Sequence, residues 1–237
     1  MSKSLVIIPT YNEIENIEKM IHKVFSLPQP FHLLIVDDGS PDGTAIKVKM
    51  LQLQYPEQLH LEERKSKLGL GTAYIHGFKW ALARDYEYIF EMDCDFSHNP
   101  DDLLRLLEAC HSNADVAVGS RYVKGGNVSN WDMKRILLSY MASVYVRMIL
   151  WFHVKDTTAG FICYKRKVLE NIALDNIRFM GYAFQIEMKY TAYRKGFKIM
   201  EVPITFVDRV LGTSKMSTKI FKEAFWGVVQ MRFKKFE

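Results

Sequence analysis

Cysteine is scarce. The three present, Cys94, Cys110 and Cys163, stand apart with no C-x-x-C spacing. That excludes a disulfide framework and a zinc ribbon and suggests a reducing compartment. No G-x-G-x-x-G or P-loop signature occurs, and Gly69-Leu70-Gly71 lacks a third glycine, so nicotinamide and P-loop ATPase readings have no motif behind them. A G-x-S-x-G elbow and a Cys–His pair are also missing. The seven histidines are scattered, and His98, the one nearest an acidic pair, is expected to cap a helix or face solvent. Long apolar runs are lacking too. Leu5–Pro9 is too short for a signal peptide. The longest nearly uncharged stretch, residues 136–152, contains Arg147 and two serines; it is marginal for spanning a bilayer and better suited to a buried or interfacial helix. No internal repeat or low-complexity segment is present.

What is there is an ordinary globular mix, 49% hydrophobic and 25% charged. A chain of 237 residues buries enough surface to fold without staples, and residues 1–237 read as one domain. Its net charge of +5 conceals an asymmetry. Residues 1–118 hold 11 basic and 18 acidic side chains, and residues 119–237 hold 21 and 9. A basic half meets phosphates or an anionic surface. An acidic half suits a cation and argues against nucleic acid as a partner.

Short apolar runs at Leu5–Pro9, Leu33–Val36, Leu59–Glu63, Tyr88–Met92 and Val116–Gly119 predict strands. Helical spacing falls between them, over 14–25, 44–55, 71–84 and 100–110. Alternation of this kind predicts a largely parallel sheet covered on both faces. Residues 119–237 turn to longer helical patterns, with a strand near Ile199–Phe206 that Pro203 places at an edge. Three polar turns, Thr10–Glu13, Asp37–Gly43 and Asp93–His98, each follow a strand. The carboxyl ends of parallel strands border the ligand crevice, so all three are expected on one edge.

Asp93-x-Asp95 is the central motif. Two carboxylates just past a buried strand can share one Mg²⁺ or Mn²⁺, and Ser97 can add an oxygen. Asp38 can accept hydrogen bonds from a ribose or base edge, while Ser40, Asp42 or Thr44 caps the next helix. Tyr11 and Glu13 occupy the first crevice loop, where a ring can stack on a base. The basic half supplies Arg121, Arg135, Arg209 and Lys215 for phosphate oxygens, and Arg121 follows a strand end on the same edge. Arg209 and Lys215 flank Gly212 in a loop able to close over a phosphate.

Val36-Asp-Asp-Gly-Ser-Pro-Asp-Gly-Thr44, Met92-Asp-Cys-Asp-Phe-Ser-His-Asn-Pro100 and Gly119-Ser-Arg-Tyr122 resemble the family 2 nucleotide-sugar glycosyltransferases. The nearer resemblance is to the polyprenyl (dolichyl) phosphate mannosyltransferases. It rests on Pro9-Thr-Tyr-Asn-Glu13, Arg64-x-x-Lys67-x-Gly69-Leu-Gly71, Gly125-Gly126, Asp156-Thr-Thr-Ala-Gly-Phe161, Phe184-Gln-Ile-Glu187 and Arg209-x-x-Gly212-x-Ser214-Lys215. It implies a GT-A fold, a Rossmann-like sheet with amphipathic interface helices toward the C-terminus. The implied reaction is inverting transfer of mannose from GDP-mannose to a polyprenyl phosphate. The implied donor contacts are Pro9, Tyr11, Glu13, Val36, Asp38, Asp93, Cys94, Asp95, Arg209 and Lys215. Metal falls to Asp93, Asp95 and Ser97, and the acceptor phosphate to Arg121, Arg135 and Ser139. Asp95, Arg121 and Arg135 are then the residues expected to carry the chemistry. Family members often have Ala where Cys94 stands.

A phosphate monoester has its second pKa near ~6 and attacks without help from a base. An enzyme acting on a hydroxyl needs a carboxylate base, for which Asp93 and Glu187 are the candidates. A UDP-glucose donor, a polysaccharide hydroxyl acceptor and a non-catalytic module binding a nucleotide or a phosphoinositide headgroup are the competing readings. Residues 133–152 read as an amphipathic helix at a membrane surface or as a core helix. Phe221–Phe236 mixes aromatic and basic residues that suit an anionic leaflet. These features predict peripheral attachment to the cytoplasmic face of a membrane.

Overall fold

Leu5, Val6, Ile7 and Ile8 carry no polar side chain among them because both faces of their strand are covered. Side chains alternate along a strand. Val6 and Ile8 join one apolar layer, and Leu5 and Ile7 join the other. The structure is a computed structural model; residues 3–208 and 218–233 are described. Its first half alternates β1 (Ser4–Thr10), α1 (Ile17–Phe25), β2 (His32–Asp37), α2 (Thr44–Gln52), β3 (Leu59–Glu63), α3 (Leu70–Leu82), β4 (Tyr88–Glu91), α4 (Asp102–Ser112) and β5 (Val116–Ser120). The second half holds β6 (Asn127–Ser129), α5 (Met133–Leu150), β7 (Ile162–Lys165), α6 (Arg166–Asn171), α7 (Tyr182–Arg194), β8 (Ile199–Pro203), β9 (Thr205–Val207) and α8 (Thr218–Phe233).

Seven strands form one sheet in the order β3-β2-β1-β4-β7-β5-β8. β1 pairs in parallel with β2 and β4, β2 with β3, and β5 with β8. β7 runs antiparallel to both β4 and β5. Six strands therefore point one way, and their carboxyl ends lie on one edge with the entrance to β7. β8 lies at the sheet margin, where a proline is tolerated. A separate parallel pair joins β6 and β9.

Helices α1, α2 and α4 cover one face through residues such as Met20, Val48 and Leu106. Helices α3, α6 and α7 cover the other through Tyr74, Phe78, Leu169 and Phe184. The opposite side of α7 packs on α5 and α8 through Ala183, Ile186, Tyr190, Val146, Leu150, Val228 and Met231. Helix α5 itself is not a core helix: Leu137, Leu138, Met141, Met148 and Trp151 are exposed, and only Ser143, Val146 and Leu150 are buried. On α8, Phe225, Trp226 and Phe233 are exposed. Arg232 lies 4.5 Å from the centre of the Trp151 ring. Among the described residues no helix is long and apolar enough to cross a membrane.

Candidate active site

Parallel pairing brings the first two polar turns together, and hydrogen bonds stitch them. Thr10 Oγ1 donates to Asp37 Oδ1 at 2.8 Å, Asn12 N to Ser40 Oγ at 2.9 Å, Glu13 N to Thr44 Oγ1 at 3.0 Å and Ile14 N to Asp42 Oδ2 at 3.0 Å. Of the three capping candidates, Asp42 accepts from the first turn of α2, taking Thr44 N–H at 3.0 Å. The Glu13 carboxylate accepts from Asn16 Nδ2 at 3.1 Å. The buried carboxylate of Asp38 is gripped by Arg64, whose Nε and Nη2 donate at 2.6 and 2.9 Å. Arg64 Nη1 also donates to Thr72 Oγ1. Lys67 Nζ lies 4.7 Å from the centre of the Tyr11 ring. Pro9, Tyr11, Glu13, Val36 and Asp38 thus line one corner, with Val36 sealed beneath it and Pro9 half-buried.

The acidic turn follows β4. Asp93 and Asp95 are half-buried, and Cys94 between them is buried. Burial, then the nearby Glu13, Asp95 and Asp93 carboxylates, push the Cys94 thiol far up, so it stays protonated. Phe96 adopts a left-handed conformation, φ 59°, at a cost of about 1–3 kcal/mol. The kink lets both Ser97 N and Ser97 Oγ donate to Asp95 Oδ1, at 3.0 and 2.5 Å. Ser97 is buried and braces Asp95. Tyr74 is buried beside Asp93; burial first and the Asp93 charge second raise its pKa far above normal. Among the described residues no three His, Cys, Asp or Glu side chains form a metal cluster. Two half-buried carboxylates, one of them braced, are oxygen donors of the kind that Mg²⁺ or Mn²⁺ would take.

The basic side of the crevice differs most from expectation. Arg121 is pinned: Nε and Nη2 donate to the two Asp156 oxygens at 2.7 and 2.6 Å, its backbone N to Asp156 at 2.9 Å, and Nη2 to Thr158 Oγ1 at 3.0 Å. The Arg121 side chain is 9% exposed and that of Asp156 0%. Burial alone would raise the Asp156 pKa, but the Arg121 charge and hydrogen bonds outweigh it and hold the carboxyl below its usual range. Gly126 lets the chain cross this strand end, since a Cβ there would meet Ser120 O at 2.6 Å. Arg135 opens α5 behind its Asp132 cap and pairs with Asp208 at 2.6 Å, with side chains 38% and 28% exposed. Trp131, which nothing in the sequence singled out, joins the two arginines. Their guanidinium carbons lie 5.5 Å (Arg121) and 4.1 Å (Arg135) from the centre of its ring. Ser139, one turn beyond Arg135, stands beside the Tyr122 hydroxyl.

His98 neither caps a helix nor faces solvent. It is buried, stacked on Phe161 and edge-on to Phe206. Burial lowers its pKa to about 4, so it is neutral at pH 7. Asp95 and Arg121 both act on it electrostatically, which puts the acidic turn and the pinned arginine on the same side of the molecule. Phe206 also touches Trp131, so His98, Phe206 and Trp131 form a wall joining the two. Glu187 is not placed as a base: its buried carboxylate accepts Arg178 N and Phe179 N at 2.9 and 3.1 Å, clasping a loop. Arg209 and Lys215 lie outside the described residues, as do the basic ends of the 221–236 stretch at Lys234 and Lys235.

The sequence model of the family described as Glycosyl transferase family 2 matches residues 5–173. The chain belongs to this family. The transferase is 48% identical over 231 residues to the polyprenol monophosphomannose synthase of Mycolicibacterium smegmatis, covering 95% of this chain and 87% of that protein. It is 44% identical over 226 residues to the undecaprenyl-phosphate mannosyltransferase of Micrococcus luteus, covering 95% and 92%. Among solved structures, the mannosyltransferase PcManGT of Pyrobaculum calidifontis, in complex with GDP-Man and Mn²⁺, shares the fold. The TM-score is 0.60 at 17% identity, over 97% of this chain and 69% of that one. The fold is of the GT-A type, a mostly parallel sheet flanked by helices.

Proposed function

We propose that the transferase moves mannose from GDP-mannose to the phosphate of a polyprenyl phosphate, with inversion, giving polyprenyl phosphate mannose and GDP. One observation carries the reading: Arg121 and Arg135 converge on Trp131, one aromatic wall away from the Asp93–Asp95 turn. Two anion-handling sites thus face one crevice. The mannosyl and polyprenyl-phosphate names of both curated relatives support the same donor sugar and acceptor class.

The donor nucleotide occupies the corner made by Pro9, Tyr11, Glu13, Val36 and Asp38, with Cys94 contributing its backbone. Asp93 and Asp95 hold a divalent cation, Mg²⁺ or Mn²⁺, and the brace from Ser97 fixes one carboxylate before substrate arrives. When bound, the cation neutralises charge on the leaving diphosphate. The acceptor phosphate lies against Arg135 and Ser139, with Arg121 adding a fixed charge beside them. Its oxygen is already ionised near pH 7 and attacks the anomeric carbon directly. That fits a crevice whose histidine is neutral and buried and whose Glu187 is committed to backbone.

The exposed faces of α5 and α8 lie on the membrane surface, on the cytoplasmic side, and bring the lipid's phosphate to the first turn of α5. Each basic side chain near an anionic leaflet adds roughly 1 kcal/mol. The test is incubation of purified protein with labelled GDP-mannose, Mn²⁺ and a short polyprenyl phosphate. Lipid-linked mannose is the expected product, and Asp95→Ala is expected to abolish it. Undiminished turnover of that variant at saturating metal, or transfer only from UDP sugars, would sink the proposal.

A further inference from the structure

Beneath the crevice lies a buried polar layer that the reaction does not touch. Gln185 and Lys189, four residues apart, share one face of α7, and both are buried. Gln185 Nε2 donates to Glu91 Oε2 at 2.5 Å, just before the acidic turn. Lys189 Nζ donates to Ala159 O at 2.6 Å, inside the loop that carries Asp156. That loop is held from its other end by Glu201 on β8. Glu201 accepts Lys155 N at 2.8 Å, Asp156 N at 2.9 Å and Ser120 Oγ at 2.7 Å.

A lysine with no exposure is rare unless its charge is paired. Burial lowers the Lys189 pKa, and the Glu91, Asp156 and Glu201 carboxylates oppose that fall while Arg121 adds to it. Lys189 makes no ion pair of its own among the described residues; it donates to one backbone carbonyl, and three acids act on its charge. The segment it fixes is the one that orients Arg121.

We propose that Lys189 is a positioning residue: it sets the Asp156–Phe161 loop, and through Asp156 the guanidinium of Arg121, for the acceptor phosphate. The proposal rests on the reading of Arg121 as part of the acceptor-phosphate site. That reading has its own test, since it requires Arg135→Ala to raise the acceptor KM while GDP-mannose affinity holds.

The experiment compares Lys189→Met, Glu201→Gln, their combination and Met188→Ala in the full chain. Met188 is buried on the same helix, and its loss weakens packing without touching the polar layer. Thermal unfolding, GDP-mannose calorimetry in Mn²⁺ and acceptor kinetics are read for each. Lys189→Met is expected to lower acceptor kcat/KM at least tenfold and to change GDP-mannose affinity less than threefold. Met188→Ala should change neither constant per folded molecule. Lys189→Met and Glu201→Gln each loosen one end of the same loop, so the double variant should lose no more than about threefold beyond Lys189→Met. Parallel loss of donor and acceptor constants, the same pattern in Met188→Ala, or additive losses in the double variant would each overturn the proposal. Should Lys189→Met not fold, Lys189→Arg, which keeps the charge but moves the donor at the Ala159 carbonyl, decides. An acceptor KM shifted more than threefold with GDP-mannose affinity held supports the proposal, and an unchanged one overturns it.

Discussion

Asp156→Leu isolates what the pinned arginine costs the fold. The substitution leaves Arg121 at 9% exposure facing an apolar side chain. Breaking a buried ion pair by removing one partner costs about 3–5 kcal/mol. For a chain of this length each kcal/mol lowers Tm by about 2–4 °C, so the loss is about 6–20 °C. Adding Arg121→Met removes the stranded charge. What remains unsatisfied is chiefly the Arg121 backbone N–H that Asp156 also accepted at 2.9 Å, worth about 1–3 kcal/mol. The double variant should therefore be more stable than Asp156→Leu by about 2 kcal/mol and still fail to transfer sugar. Thermal unfolding paired with the lipid-phosphate assay reads both. A double variant no more stable than Asp156→Leu would refute the claim that a buried uncompensated charge is the cost. The pH dependence has a definite sign. The Asp156 carboxyl is depressed in the folded state, so its contribution is present above its unfolded pKa near ~3.9 and is lost as pH falls through the lower folded value.

Arg64→Ala leaves the Asp38 carboxylate, 8% exposed, without its clamp. Chemical denaturation should show a loss of about 3–5 kcal/mol, and calorimetry a weakened GDP-mannose affinity that Arg64→Lys restores only in part. His98→Phe removes a buried Nδ1 that has no hydrogen-bond partner among the described residues and keeps the stack on Phe161. Stability should hold or rise by about 1 kcal/mol; a large loss of stability in thermal unfolding would show that the imidazole nitrogen has a structural partner.

Legibility in the sequence followed periodicity. β1 to β5 were readable because short apolar runs bounded by polar turns have few other meanings, and three crevice turns followed from the parallel order. β7 was not: Ile162-Cys-Tyr-Lys165 is only four residues long, and its antiparallel insertion between β4 and β5 leaves no local mark. Helix α7 was hidden for a different reason. It is buried on two sides, against the sheet and against α5 and α8, so no polar stripe reveals its period. Asp93, Asp95 and Asp38 could be placed from their positions after strands. The Arg64 clamp on Asp38 and the Asp156 partner of Arg121 could not, because both come from distant segments. His98 was misread because proximity to charge in the sequence says nothing about Phe161 and Phe206 closing over it.

The two arginines proposed to meet the acceptor phosphate are both paired to aspartates, and their difference in burial suits them to different work. The Arg121–Asp156 pair, 9% and 0% exposed, cannot open without stranding charge, so Arg121 supplies a fixed field. Arg135–Asp208, at 38% and 28%, is half in water, where such a pair is worth about 0–1 kcal/mol. An incoming phosphate can displace Asp208 at little cost, with the Trp131 ring centre still 4.1 Å from the guanidinium carbon. Asp208 is then a competitor for the acceptor. Asp208→Asn should leave Tm within about 2 °C of the parent and lower the acceptor KM by up to about fivefold, the equivalent of about 1 kcal/mol. The effect should shrink as salt rises, because the competition is between exposed charges. An acceptor KM that rises in Asp208→Asn would mean that Asp208 holds Arg135 toward the phosphate, and the displacement argument would fail.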